Sequence, residues 1–506
     1  MKKIMLFFFV TASATELCAQ QKTYNIISFG AKGDGRTLNT SFIQKAIDKA
    51  TAAGGGKVIV PKGRFVTGTI RLKNGVNLVL QKDAVLLGST NRLDYGKEIA
   101  GNLITTTDQK KVSITGYGEI DGQGREVVKS LFKLLHQGVL KDAQWKIKRP
   151  GERNRPGVIA FTGCMDVLVK GITVKNSAGW VQDYRNCSNV VIDSVTVNST
   201  EYWNNDGIDI VNSQNVSITN CYVDAADDGI CLKSEGGPGY CENIYVANCT
   251  LRSSASAFKL GTGSRGGFRN IVVKNLVVFD TYRSAIALEA VDGGFLENVD
   301  IQQVKAVNTG NAIFIRLGHR NTDSLYSTIK KIRIADVQVQ VPAGKPDIGY
   351  PVEGPPHKFP HNVFPSSIVG LPGHEVEDVE LKNIVITYEG GGAKEKAYFG
   401  WDSLPNVPEN ASGYPEFSMF GELPAWALYV RHAKGITLQN VQLKLQQPDY
   451  RPACIFDDVT ALQLTELNIP VCNTLPVLIL NKVKEHTFSK LTLPVEEDKA
   501  IVFINR

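Results

Sequence analysis

The chain has no C-x-x-C pair anywhere in its 506 residues, although it carries nine cysteines. A thiolate zinc site therefore has no footing in the sequence. Histidine is scarce too: the seven residues are His136, His319, His357, His361, His374, His432 and His486. His357 and His361 are four apart but sit in a proline-rich stretch, not on a helix pattern, so zinc catalysis is set aside. Neither charge sign dominates: 56 Lys and Arg face 50 Asp and Glu, a net +6, with no basic run that reads as a nucleic-acid arm. Nucleic acid is not an expected partner. The glycines of GAKGDG at 30–35 have neither a following G-K-S/T nor the G-x-G-x-x-G spacing, which removes a nucleotide loop. No cofactor is expected.

Long apolar runs are also missing. The one candidate, Ile4–Val10 (IMLFFFV), is too short to span a bilayer. Lys2 and Lys3 precede it, and small or polar residues follow to Ala19-Gln20. Residues 1–20 therefore read as a secretory signal, and the mature chain is expected to be exported, periplasmic or secreted, with no membrane contact. Cys18 raises lipid attachment, but Thr15 stands where that motif usually has Leu. Export permits disulfides. Six cysteines fall between Cys164 and Cys249, and they read either as buried rung residues or as bridges such as Cys231–Cys249 or Cys221–Cys241.

What is present is a repeat. Hydrophobic residues make up 43% and charged residues 21%, a folded composition. An Asn or Asp followed by Val or Ile recurs at Asp166, Asn189, Asn215, Asn243, Asn270 and Asn298, in steps of 23, 26, 28, 27 and 28 residues. Each step carries short alternating strands such as NVVIDSVTV and NVSITNCYV. Such spacing predicts an all-β solenoid, a parallel β-helix whose coils share one core. Looser coils continue at 329–341, 376–388, 435–445 and 461–469. A helix pattern at 39–53 (Phe42, Ile43, Ala46, Ile47, Ala50), capped by Asn39 or Thr40 and ended by Gly54-Gly55-Gly56, is expected to cover the first coil. Insertions fall near 125–155, 342–375 and 390–424. No linker is evident, so residues 21–506 read as one domain, expected to be monomeric. Tyr398, Trp401, Tyr414, Phe417 and Phe420 suggest packed loops that wall one end of a groove, which points to action on chain ends.

The chemistry concentrates in Trp203–Glu235. Aligning the strands gives two inward columns: Ile208, Ile230, Phe258, Ile286, Ile313, and Ile210, Leu232, Leu260, Leu288, Ile315. Alternation then sends Asp209, Cys231, Lys259, Ala287 and Phe314 outward, with Val211, Lys233, Gly261, Glu289 and Arg316 in the next outward column. Just before the strands stand Asp206, Asp228, Ser256, Ser284 and Asn311. Asp206 and Asp228 are thus stacked about 5 Å apart at the backbone, the spacing of paired strands, with Asp227 beside them. Repulsion should raise at least one of the three pKa values, which is the raw material for an acid/base pair. Polar turns or a Ca²⁺ site could use the same oxygens.

NNDGIDI and DDGICLKS, together with the opening FGAKGDG and the GGG before KVIVP, resemble glycoside hydrolase family 28, the polygalacturonase-like pectinases. The resemblance implies a single-stranded right-handed parallel β-helix with a pectic polysaccharide or oligosaccharide as substrate. It makes Asp227 the general acid, with Asp206 and Asp228 holding and deprotonating water in an inverting hydrolysis. The family's G-H-G motif would fall at Ala255-Ser256-Ala257 and its R-I-K motif at Ala287-Leu288-Glu289. Neither is matched, so the usual grip on the uronate carboxylate is missing. Asn204, Lys233, Ser256, Lys259, Glu289 and Arg316 are the expected substrate-binding residues. Lys259 or Arg316 would replace the missing cations, or Glu289 would bind hydroxyls of a neutral sugar. Trp180 and Trp203 are candidates to stack on sugar rings, and His319 to line the groove. A Ca²⁺-dependent lyase and a non-catalytic carbohydrate-binding β-helix are the competing readings.

Overall fold

The computed structural model describes residues 22–357, 361–397 and 399–505. The expected signal at 1–20, Cys18 and Tyr398 lie outside them. Strand follows strand in parallel, each pairing with its counterpart one coil on. Five strands position the site: β1 (Ile208–Val211), β2 (Ile230–Ser234), β3 (Phe258–Ser264), β4 (Gly267–Ala290) and β5 (Phe295–Leu317). Ile208 pairs with Ile230, Ile230 with Phe258, Phe258 with Ile286, and Ile286 with Ile313. This register is the inward column read from the sequence. The apolar side chains it buries join one continuous core that runs from Ile26 to Ala500. The architecture is a parallel β-helix.

The recurring Asn or Asp has a backbone cause. Asp166, Asn189, Asn215, Asn243, Asn270 and Asn298 all turn with φ of 55–58°. Asn and Asp tolerate this left-handed conformation better than other side chains. Stacked one per coil, the side chains also bond to each other: Asn189 donates to Asp166 at 2.9 Å, and Asn298 to Asn270 at 2.7 Å. Beyond residue 320 the same column continues through Lys331, Asp378, Gly435, Ala461 and Glu485, each again at positive φ. The fold repeats there, but of these five only Asp378 keeps the side chain that marks it.

Helix α1 (Thr40–Ala52) buries Ile43, Ala46, Ile47 and Ala50 in the main core. Asn39 stands at its N-cap position, but its side chain does not cap: it bonds Lys32 and Thr37 instead. The 125–155 insertion forms helix α2 (Gly124–His136) and a loop. The eight described cysteines are all free, and all but Cys472 are buried. The bridges Cys231–Cys249 and Cys221–Cys241 are not formed, because these residues serve as small apolar rungs. No helix among the described residues is long and apolar enough to cross a membrane.

One expectation needs correction. The outward column is not a solvent face along its whole length. Ala287 and Phe314 are buried in a second apolar cluster with Phe364, Leu404, Val407, Phe417 and Phe420. The 390–424 insertion folds back over the later coils and supplies Leu404, Val407, Phe417, Phe420 and Leu423 to it.

Candidate active site

Asp206 and Asp228 stand in equivalent turns, each followed by a glycine that the coil requires. A Cβ on Gly207 would lie 2.6 Å from the Gly229 carbonyl oxygen, and one on Gly229 would lie 2.6 Å from that of Ala257. The Gly207 N–H donates to the Asp228 carbonyl at 2.8 Å, locking the two turns in step. The Asp228 N–H donates to Asp227 Oδ1 at 2.9 Å, so the neighbouring acids orient each other. One carboxylate oxygen from each of Asp206, Asp227 and Asp228 lies within 4.8 Å of the others. They open into a cleft of about 450 Å³ that Trp180, Asn204, Lys233, Lys259, Thr262 and Tyr414 help to line.

The three acids are not equivalent. Asp228 Oδ2 accepts from Lys259 Nζ at 3.0 Å, and Oδ1 from the Ser256 N–H at 3.1 Å. Asp206 Oδ2 accepts from Lys233 Nζ at 2.8 Å, and its Oδ1 is buried with no partner. Lys233 also bonds Asp209 and sits 4.1 Å from the centre of the Trp180 ring. Asp227 has no ion-pair partner among the described residues, and its Oδ2 meets Asn204 Nδ2 at 3.5 Å.

Protonation follows from these partners. Burial raises the Asp227 pKa, and the neighbouring Asp228 charge adds to the shift. Burial would raise Asp228 as well, but Lys259, Lys233 and Arg283 outweigh it and hold its carboxyl below the ordinary range. Asp206 and Asp209 share one lysine. Burial pushes Asp206 well up and Asp209 to about 7, against the pull of Lys233. One cation facing two buried carboxylates leaves that group with a proton to share. The same three acids have the spacing to cradle a divalent cation, but Lys233 and Lys259 already place positive charge on two of them.

Of the residues expected to touch substrate, Asn204, Lys233 and Lys259 line the cleft with the acids. Three others do not line it. Ser256 offers its backbone N–H to Asp228 and is 3% exposed. Glu289 lies behind Lys259, 3.9 Å from its Nζ, with a pKa raised by burial to about 7. Arg316 is fully buried and donates to the carbonyls of Gly370, Glu409 and Asn410. It is the register partner of Glu289, but the folded-back loop captures its guanidinium. His319 stacks on Tyr326 at 4.1 Å, and neither it nor Trp203 lines the cleft.

Arg155, Arg283 and Glu416 had no signal in the sequence, whereas Tyr414 is one of the loop aromatics expected to wall the groove and does line the cleft. Arg155, from the 125–155 insertion, donates to Asn204 Oδ1 at 2.8 Å and to the Trp203 carbonyl at 2.7 Å. Tyr414 brings its hydroxyl 3.4 Å from Lys259 Nζ. Arg283 pairs with Glu416 at 3.3 Å, and its charge acts on Asp227 and Asp228. Arg155, Tyr414 and Glu416 arrive from insertions, where no period predicts position.

The family model for glycosyl hydrolases family 28 matches residues 51–347. This chain belongs to that family. An exo-poly-alpha-D-galacturonosidase of Dickeya chrysanthemi is 29% identical over 330 residues, covering 55% of this chain and 54% of the relative. A probable polygalacturonase of Vitis vinifera is 27% identical over 314 residues, covering 58% and 57%. The chain thus spans about half the length of these curated relatives. The crystal structure of a hyperthermoactive exopolygalacturonase from Thermotoga maritima is 22% identical with a TM-score of 0.60, covering 84% of this chain and 92% of that one, which makes the fold a shared one.

Proposed function

We propose that this protein hydrolyses a glycosidic bond in a pectic polysaccharide or oligosaccharide. Asp227 gives its proton to the leaving oxygen as the bond to the anomeric carbon breaks. Asp228 takes a proton from the water whose oxygen bonds that carbon, and Asp206 helps to hold the water. The observation that carries this reading is the asymmetry of the cluster: Asp228 and Asp206 each accept from a lysine, and Asp227 does not. A raised acid beside a depressed one is what such a division of labour needs. Asp227→Asn should abolish release of reducing sugar from a pectic panel while leaving circular dichroism unchanged. Near-normal turnover would refute the assignment.

Inversion is the stereochemistry that the family resemblance implies. Inverting pairs usually stand about 6.5–9.5 Å apart and retaining pairs about 5–5.5 Å. The nearest oxygens here come within 4.8 Å, and spacing alone favours retention through a glycosyl–enzyme ester. We retain inversion because a carboxylate held by an ammonium group is a weak nucleophile but still a good acceptor for water. Proton NMR of the first-formed anomer decides between them.

The wider reading is a single right-handed solenoid from about residue 21, closed at its N-terminal edge by α1, exported through residues 1–20 and acting as a monomer. Tyr414, carried by the folded-back loop, walls one side of the cleft, which supports action at chain ends.

A further inference from the structure

The cations around the acids are already engaged. Lys233 lies 2.8 Å from Asp206, Lys259 3.0 Å from Asp228, Arg265 2.6 Å from Asp323, and Arg320 2.8 Å from Asp292. Among the described residues, these four are the lysines and arginines that line the cleft, and six carboxylates line it with them. Arg283, just outside the lining, is paired with Glu416 at 3.3 Å. The two positions where the family resemblance expects basic residues are occupied by other chemistry. Ala287 is buried in the apolar cluster, and Glu289 adds a second carboxylate to Lys259.

A sugar carboxylate entering this space would have to displace a partner that is already paired. Asp227 keeps its proton as the acid and the Asp206–Asp209 pair shares one, so the remaining carboxylates of the lining match its cations and leave no surplus positive charge to hold it. A neutral sugar meets no such obstacle. Its hydroxyls find acceptors in the carboxylates of the lining and a donor in the Tyr414 hydroxyl, and the Trp180 ring offers an apolar face. We propose that the sugar seated against Lys259 and Tyr414, whose glycosidic bond is broken, is uncharged where a galacturonide carries its carboxylate. The substrate class is then a neutral glycoside within a pectic polymer. This rests on the hydrolase reading above. Glu289 acts through Lys259, as a positioning residue that adds a second carboxylate to the ammonium beside the sugar.

The test labels every new reducing end. A pectic extract containing both homogalacturonan and rhamnogalacturonan with neutral side chains is digested, reduced with sodium borodeuteride, hydrolysed, and read by mass spectrometry. Deuterium in neutral alditols, at least tenfold over deuterated aldonic acid, is the expected result. Deuterium mainly in aldonic acid overturns the inference and leaves the hydrolase reading standing. No deuterium above an Asp227→Asn control overturns the hydrolase reading itself. Glu289→Gln removes one carboxylate from Lys259 and should raise the aldonic share several-fold. An unchanged share in that variant, with total turnover retained, removes Glu289 from the selection.

Discussion

The outward column of the solenoid has two fates. At Lys259 it lines a polar cleft, with Asp209 buried behind it and bonded to Lys233, and at Ala287 and Phe314 it lies under an apolar lid. Register is unbroken between them: Asp209 pairs with Cys231, Cys231 with Lys259, Lys259 with Ala287, and Ala287 with Phe314. The strands therefore do not decide which part works as a site. The side chains do, by accepting or refusing the insertion that carries Phe417 and Phe420. A β-helix presents a long outer face, and a loop selects the part of it left open.

The comparison can be broken from either side. The largest effect belongs to the open side: Asp227→Asn should lower kcat by about 10²–10⁴-fold, the usual worth of a general acid, with the denaturation midpoint unmoved. On the covered side, Phe314→Ala should cost about 3–5 kcal/mol in urea unfolding, the range for a buried aromatic. Cys231→Ala, in the same column beside the cleft, removes a single buried sulfur and should cost far less in the same assay. Equal losses would mean that the lid adds no packing.

A smaller effect sharpens the electrostatics. Lys259→Met removes the cation that most strongly depresses Asp228. The Asp228 pKa then rises, and the acid limb of the kcat/KM profile should move to higher pH by about one unit, worth about 1.4 kcal/mol. The smallest concerns how the lid is held. His432 bridges Asp458 at 2.7 Å and Glu409 at 3.1 Å, and Arg431 also reaches Glu409. Burial opposes the charged imidazole, but the two carboxylates win and its pKa is raised. A raised pKa means that the bridge is fully present below about pH 6.5, the ordinary histidine value, and is lost as pH climbs through the folded value. Both carboxylates are partly exposed, so the loss is below about 1 kcal/mol. Protection factors around Glu409, corrected for the intrinsic rise of exchange with pH, should fall as pH climbs above about 6.5, and His432→Gln should flatten that change.

The repeat was legible because a physical demand recurs in it. A left-handed turn once per coil selects Asn, and alternation then places every inward residue, so the pairing of Ile208, Ile230, Phe258, Ile286 and Ile313 follows from the sequence. Beyond residue 320 the same turn is taken by Lys331, Gly435 and Ala461. There the coils persist while only Asp378 keeps their marker. Direction was legible in the site as well, but depth was not. Lys259 and Arg316 both point outward from the core. One reaches the cleft and the other is held by Glu409 and Asn410, because a distant insertion returns to cover it. Asn39 teaches the same lesson locally: it has the right residue type and place for a cap, but nearer carbonyls claim its side chain.

The paired cations of the cleft carry a kinetic consequence. Fixed charges that cancel at contact distance cast little field into solvent, so the cleft has no long-range pull on an approaching polymer. Capture then depends on shape and hydroxyl contacts made after arrival. Ionic strength, which screens distant charges and spares close buried pairs, leaves the encounter with substrate nearly untouched.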